Sequence, residues 1–199
     1  MPSLQSDLGI MMQMFPTEVY SPAEDTMLLL NACLRIASPE DRVLEIGTGS
    51  GEIALALVDA GADVVATDIN PFAAVYAHRR GVPVIRCDLF AGICGTYDLI
   101  LFNPPYLPTA PDDRIDDWFE LALDGGEDGR ETIRRFLAAA PAFLSKKGRI
   151  LLLISSLTGI SEVSQLFTDA GMISFVVLEE SHEGEKLVVL LGMKDLCRF

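Results

Sequence analysis

Apolar and polar positions along this chain switch between two periods, and the switches divide it into short units. Arg42–Gly47 (RVLEIG), Asp63–Asp68 (DVVATD), Pro83–Cys87 (PVIRC), Asp98–Phe102 (DLILF) and Gly148–Ser155 (GRILLLIS) are short apolar runs bounded by glycine, proline or charge. That pattern predicts strands. The run ending at Phe102 is almost purely apolar, as a strand buried on both faces should be. Between these runs the spacing is helical, over Ala23–Ala37, Ser50–Ala60, Pro71–Arg80, Glu131–Leu144 and Ile160–Ala170. Ser21 ahead of Pro22 supplies a cap region for the first helix, and Gly61, Gly81 and Gly171 each close a later one. Near the end, Ile173–Ser181 and Glu185–Met193 flank HEGE and predict a hairpin.

Strands alternating with helices predict an α/β domain with a parallel sheet and right-handed crossovers. The hairpin brings the count to a seven-stranded, Rossmann-like sheet in which one strand runs antiparallel. The expected organisation is a single domain over residues 1–199. Residues 1–22 form a Met-rich arm without a period, and residues 107–130 form an acidic, Gly-rich insertion on the substrate side.

Composition narrows the function. A net charge of −14 over 199 residues argues against broad, charge-driven binding of nucleic acid, which needs a basic footprint. Cys33, Cys87, Cys94 and Cys197 are scattered without a C-x-x-C pair, so neither a metal site nor a disulfide framework is expected, and a reducing compartment fits. No basic-then-apolar leader opens the chain, and no apolar run reaches the ~20 residues that span a bilayer. A cytoplasmic protein without membrane contact is the expectation.

Two motifs carry chemistry. In LEIGTGSGE (Leu44–Glu52), Gly47, Gly49 and Gly51 lie between a strand and a helix, where a tight turn lets the backbone approach a ligand. The spacing is G-x-G-x-G, not the G-x-G-x-x-G of dinucleotide folds. Bare amides at a helix N-terminus suit a pyrophosphate. Glu45, just upstream, instead favours a ligand with positive charge, such as the amino group and sulfonium of S-adenosylmethionine. Asp68, ending the second strand, suits the two ribose hydroxyls. Asp88, ending the third with Leu89 beside it, suits the adenine amine.

The second motif is NPPY, Asn103–Tyr106, after the fourth strand and at the same sheet edge as the glycine loop. A planar –NH2 conjugated to a carbonyl or ring is a poor nucleophile, because its lone pair is delocalised. Two acceptors aimed at its hydrogens pull the nitrogen toward tetrahedral geometry and free that pair. The Asn103 side-chain oxygen is one candidate and the Pro104 carbonyl the other. Pro104 and Pro105 fix φ and offer no N–H, which holds that carbonyl rigid. Tyr106 presents a ring on which a planar group can stack. Positioning and fixed dipoles, not a strong base, then carry catalysis.

These residues resemble the class I S-adenosylmethionine-dependent methyltransferases with the (D/N)PP(Y/F) signature. VYSPAEDT (Val19–Thr26), LEIGTGSG, TDINP (Thr67–Pro71), CDLF (Cys87–Phe90), LILFNPPYLP (Leu99–Pro108) and LDGGEDGRE (Leu123–Glu131) extend the resemblance over roughly residues 18–192. Within that class the chain is similar to the HemK-like release-factor glutamine N5-methyltransferases, in their short archaeal and eukaryotic branch. The resemblance implies the glutamine of a Gly-Gly-Gln loop in a translation release factor as target, and S-adenosyl-L-homocysteine as product. It also implies Pro22, Glu24, Asp25 and Thr26 over the cofactor, and a small zinc-binding activator subunit. The short, apolar Pro83–Cys87 strand, with Arg86 its only charged guard, is the edge where that subunit is expected. The acidic PDDRIDD (Pro111–Asp117), followed by Trp118, departs from the family pattern.

The same Asn-Pro-Pro-Tyr chemistry serves an adenine amine, so a nucleic-acid adenine N6-methyltransferase is a second reading. The acidic charge and the lack of a separate recognition domain weigh against it. Another protein target such as lysine is a third, and a non-catalytic cofactor-binding scaffold, which has no need of NPPY, a fourth. Among other residues, Trp118 fits either the substrate mouth or the core. Gly125, Gly126 and Gly129 fit a loop that closes over the target, and His182 and Glu183 a solvated hairpin tip. Met11, Met12 and Met14 supply adaptable apolar contacts.

Overall fold

A computed structural model describes residues 16–110, 112, 117–182 and 184–195. Met11, Met12, Met14, most of the N-terminal arm, most of the acidic PDDRIDD stretch, Glu183 and Cys197 lie outside the described residues, as does the side chain of His182.

The order is α1 (Glu24–Ile36), β1 (Arg42–Ile46), α2 (Glu52–Asp59), β2 (Asp63–Asp68), α3 (Pro71–Arg79), β3 (Val84–Arg86), β4 (Tyr97–Phe102), α4 (Trp118–Leu121), α5 (Glu131–Ala139), β5 (Leu144–Ser155), α6 (Ile160–Asp169), β6 (Met172–His182) and β7 (Glu185–Lys194). The seven strands form one sheet in the order β3-β2-β1-β4-β5-β7-β6. All neighbours through β5 are parallel, and β7 lies antiparallel between β5 and β6. The expected α/β class, strand number and hairpin are therefore what the chain forms.

Strand alternation feeds two cores. Leu44, Ile46, Ile100, Phe102, Ile150 and Leu152 point to the face covered by α5 and α6, where Phe136 and Phe167 are fully buried. Val43, Leu99, Leu101, Leu151 and Leu153 point to the opposite face, under α1, α2 and α3. Truncating one of these side chains, for instance Leu101 to Ala, costs about 2–5 kcal/mol. No helix among the described residues is long and apolar enough to cross a membrane.

Two boundaries differ from the sequence reading by more than two residues. The helix expected to reach Leu144 stops at Ala139 and continues as a 3₁₀ turn, Ala140–Phe143. Pro141 removes a donor and disfavours helix at the residue before it. β5 then starts at Leu144, before Gly148. A Cβ at Gly148 would lie 2.8 Å from the Tyr97 carbonyl, so only glycine lets the strands meet at their register shift. A short helix, α4, also appears inside the 107–130 segment. It is capped by Asp117, whose Oδ1 accepts from Phe119 N at 2.9 Å.

The topology places the site. From β1 the chain moves outward to β2 and β3, then returns to the other side of β1 as β4. Loops leaving β1 and β4 diverge at this switch and open a crevice at their carboxyl ends. Ile46 pairs with Phe102, so Gly47 and Asn103 are the first residues beyond the paired ends.

Candidate active site

One cleft at this switch is lined by Glu45, Gly47, Gly49, Thr26, Asp68, Asp88, Leu89, Asn103, Pro104, Pro105 and Tyr106. Of the candidate residues Pro22, Glu24 and Gly51 are off its wall, and Gly51 serves the cleft from behind. It takes φ +80° to start α2, and a Cβ there would meet that of Ala77 at 2.8 Å. Gly47 and Gly49 also have positive φ, and at Gly47 a Cβ would press on the Phe102 ring at 3.3 Å.

Three carboxylates shape the cleft. Glu45 is buried, and its Oε2 accepts from the Thr48 hydroxyl at 2.6 Å. Burial pushes its carboxyl up to about 8, because water no longer solvates the charge. Asp68 is buried as well and accepts from Gly49 N and Asn70 N, both at 2.8 Å. It therefore fastens the glycine loop to β2 before any ligand arrives. A carboxylate has about four acceptor positions, so capacity remains for a pair of hydroxyls. Burial raises its pKa too, against the opposing effect of those two amides. Asp88 stands at the cleft margin, ion-paired with Arg135 of α5. Beside it Leu89 takes φ +48°, the single non-glycine residue with positive φ among the described residues. Such a backbone is costly for a branched side chain and is kept where a backbone group must be aimed.

The NPPY segment leaves β4 between Asp25 and the 123–129 loop. Asn103 donates through Nδ2 to Asp25 Oδ2 at 2.9 Å, while its Oδ1 is buried without a hydrogen-bond partner. A buried orphan acceptor is expensive to keep, and it marks a place where a donor is meant to arrive. Burial holds the Tyr106 hydroxyl well above the usual phenol range, with the Asp25 charge adding to it, so the ring is neutral.

The glycines of LDGGEDGRE are packing positions, contrary to a flexible closing loop. Gly125, Gly126 and Gly129 are buried. Leu107 N donates to Leu123 O at 3.0 Å, Gly125 N to Leu107 O at 2.9 Å and Thr109 N to Gly126 O at 2.9 Å. A Cβ at Gly129 would strike the Tyr106 carbonyl oxygen. This zipper clamps the backbone just after NPPY. Trp118 lines the cleft from α4 and is not buried in the core.

Sequence reasoning missed several lining residues. Tyr20, Thr48, Thr132 and Arg135 come from three separate segments, the last two from α5, and only Tyr20 and Thr48 sit inside a quoted motif. Asp25, expected over the cofactor, lines the cleft but turns its carboxylate to Asn103.

No family model matches the chain. It is 44% identical over 161 residues to a putative protein N5-glutamine methyltransferase of Methanocaldococcus jannaschii, covering 77% of this chain and 80% of that one. It is 34% identical over 195 residues to the methyltransferase HEMK2 of Mus musculus, covering 89% and 91%. Among solved structures, the E. cuniculi Mtq2–Trm112 complex, responsible for methylating the eRF1 translation termination factor, superposes with a TM-score of 0.75 at 30% identity, covering 90% of this chain and all of that one. At the level of fold alone, a Bacteroides fragilis methyltransferase holding S-adenosyl-L-homocysteine superposes with a TM-score of 0.57 at 22% identity, covering 82% and 76%.

Proposed function

We propose that this chain, which belongs to the family of protein N5-glutamine methyltransferases, transfers a methyl group from S-adenosylmethionine to the side-chain amide of a glutamine in a translation release factor, within a Gly-Gly-Gln loop. The buried, unpartnered Oδ1 of Asn103 carries this reading.

The cleft fits the cofactor. S-adenosylmethionine supplies a methyl carbon made electrophilic by its sulfonium. Gly47 and Gly49 leave room that a Cβ would fill. The buried Glu45 suits the amino end, Asp68 the ribose hydroxyls, and the Asp88–Leu89 turn the base. Thr26 closes the cleft wall above them. Asn103 Oδ1 and the Pro104 carbonyl accept the two hydrogens of the target amide nitrogen and hold its lone pair toward the methyl carbon. Pro104 and Pro105 keep that carbonyl from drifting. Tyr106 stacks on the planar amide. As the N–C bond forms, the C–S bond breaks and its electron pair leaves with sulfur in the thioether product. The nitrogen, now cationic, gives a proton to water. Preorganised acceptors complementary to charge growing on nitrogen are the main source of rate.

The second partner is a small zinc-binding activator seated on the free edge of the sheet. β3 pairs only with β2, and Ile85 on it is 43% exposed. Ile69, Phe72 and Val75 beside it are also exposed, and Arg86 Nε donates to Ile69 O at 3.4 Å, joining strand and helix start into one surface. Scattered exposed apolar residues are ordinary, but four beside an unpaired strand edge suit a partner. The Mtq2 relative was solved with Trm112.

The test is tritiated S-adenosylmethionine offered with release factor, with single-stranded and duplex DNA or RNA, and with no acceptor. Mass spectrometry should place the methyl on the glutamine of the Gly-Gly-Gln loop. Label on adenine or on lysine overturns the substrate. Ile85→Lys should weaken activator binding while cofactor affinity stays intact; unchanged co-purification removes the edge from the partnership.

A further inference from the structure

We propose that Asp25 is a positioning residue: its carboxylate selects the orientation of the Asn103 amide that offers oxygen, not nitrogen, to the methyl acceptor. The inference rests on the reading of Asn103 given above and deepens it.

The two ends of an asparagine amide are nearly isosteric, yet one accepts and the other donates. In the flipped orientation Asn103 would face the target –NH2 with its own –NH2, and two donors would meet. Nothing in the shape of NPPY prevents that flip. The neighbour that does is Asp25, distant in sequence and 4% exposed. Its Oδ2 takes Asn103 Nδ2 at 2.9 Å and the Tyr20 hydroxyl at 3.0 Å. Its Oδ1 takes Thr26 N at 2.6 Å and the Thr26 hydroxyl at 3.3 Å. Four donors converge on two oxygens, and an acceptor turned into that cluster finds none left for it. Flipping Asn103 would set its carbonyl against the carboxylate. Asp25 lies in the first turn of α1, where the helix N-terminus favours negative charge. The orphaned Oδ1 of Asn103 is the other half of the same arrangement.

Tyr20 completes the device from outside. Burial holds its hydroxyl well above the usual phenol range, reinforced by Asp25, so it remains a donor. Its ring lies 6.4 Å from that of Phe119, at the far edge of aromatic contact. A carboxylate behind the amide also polarises it, strengthening Oδ1 as an acceptor while charge grows on the target nitrogen. A triad aspartate holds its histidine by the same logic, orienting and stabilising without taking the proton.

The experiment compares Asp25→Asn, Tyr20→Phe, Asn103→Ala and the double variant Asp25→Asn with Asn103→Ala, each purified with the activator. Turnover and KM are measured on release factor, cofactor affinity by calorimetry, and folding by thermal melt. Losing a charged hydrogen-bond partner should lower turnover about 10–100-fold in Asp25→Asn, with cofactor affinity within about threefold. Tyr20→Phe should fall in the same direction by less. In the double variant the Asp25 change should add no loss beyond that of Asn103→Ala, since both act through one oxygen. Turnover of Asp25→Asn within about threefold of wild type overturns the proposal, and so do losses that multiply in the double variant. Should Asp25→Asn not fold, Tyr20→Phe alone and on the Asn103→Ala background decides by the same two criteria. If Asn103→Ala itself stays active, the reading of NPPY falls; if only Asp25→Asn stays active, that reading stands and the positioning role does not.

Discussion

Cofactor binding should be proton-linked through Glu45. Its carboxyl is buried beneath the glycine loop with the Thr48 hydroxyl as its hydrogen-bond donor, and burial pushes it up to about 8. At pH 6 such a group is ionised in roughly one molecule in a hundred, and at pH 7 in roughly one in ten. The amino end of the cofactor is a cation, and an opposite charge nearby favours the ionised form. Binding therefore expels a proton, and affinity should climb up to about tenfold per pH unit between 6 and 7. The climb should turn over near pH 8, where an α-amino group loses its own proton. Without ligand the sign reverses. A raised carboxyl pKa stabilises the fold below the unfolded value near 4.3, and that stability is lost as pH rises through about 8. The free protein should melt progressively lower from pH 6 to pH 9, and cofactor should oppose the fall. Calorimetry in two buffers of different ionisation enthalpy counts the released protons directly. The count should approach one at pH 6.5 and vanish in Glu45→Gln, which mimics the protonated acid. A count of zero with pH-independent affinity would refute the assignment of Glu45 to a cationic ligand.

The remaining predictions concern single side chains. Asp68→Ala should weaken cofactor binding by about 1.5–3 kcal/mol, read by calorimetry, because it removes the acceptor for Gly49 N as well as for the ribose; unchanged affinity ends the assignment. Asn103→Ala should cost roughly 10²–10³ in turnover with cofactor affinity nearly intact, like the loss of one oxyanion-hole donor. Tyr106→Ala should damage turnover while Tyr106→Phe is milder, since the ring face makes the contact; equal losses would move the role to the hydroxyl. Gly192→Ala should destabilise by about 1–3 kcal/mol in a denaturant titration, because a Cβ there would drive into the buried Phe167 ring.

Much of the fold was legible because its signals are local. Every strand was visible as a short apolar run, and the glycine loop and NPPY each announce a strand end. Their meeting follows from topology alone, since β1 and β4 are neighbours and Ile46 pairs with Phe102. What escaped was of two kinds. α4 has four residues, too few for a period, and rests on the Asp117 cap and the approach of Phe119 to Tyr20. The end of α5 was in fact written in Pro141, a stronger signal than the apolar spacing that runs past it. Gly125 and Gly129 show the other limit. A sequence gives glycine two meanings, freedom and absence of bulk, and only the fold reveals that here the second applies.

The site residues were legible by type and much less by role. Glu45, Asp68 and Asp25 were each assigned to the cofactor, and all three do line the cleft. Yet each carboxylate is first engaged by the protein: Glu45 by Thr48, Asp68 by Gly49 and Asn70, Asp25 by Thr26, Tyr20 and Asn103. A pocket that gathers negative charge away from water must satisfy it internally, or the charge neutralises or the loop rearranges. The partners chosen are the backbone of the glycine loop and the amide of NPPY, the two elements whose geometry the reaction needs. These carboxyl groups thus set the shape of the cleft before any ligand arrives. Removing Glu45 or Asp68 should perturb binding and preorganisation together, so a single substitution at either cannot divide the two. Pairing each carboxylate change with a change in the group it holds does divide them, because a shared pathway makes the second loss disappear.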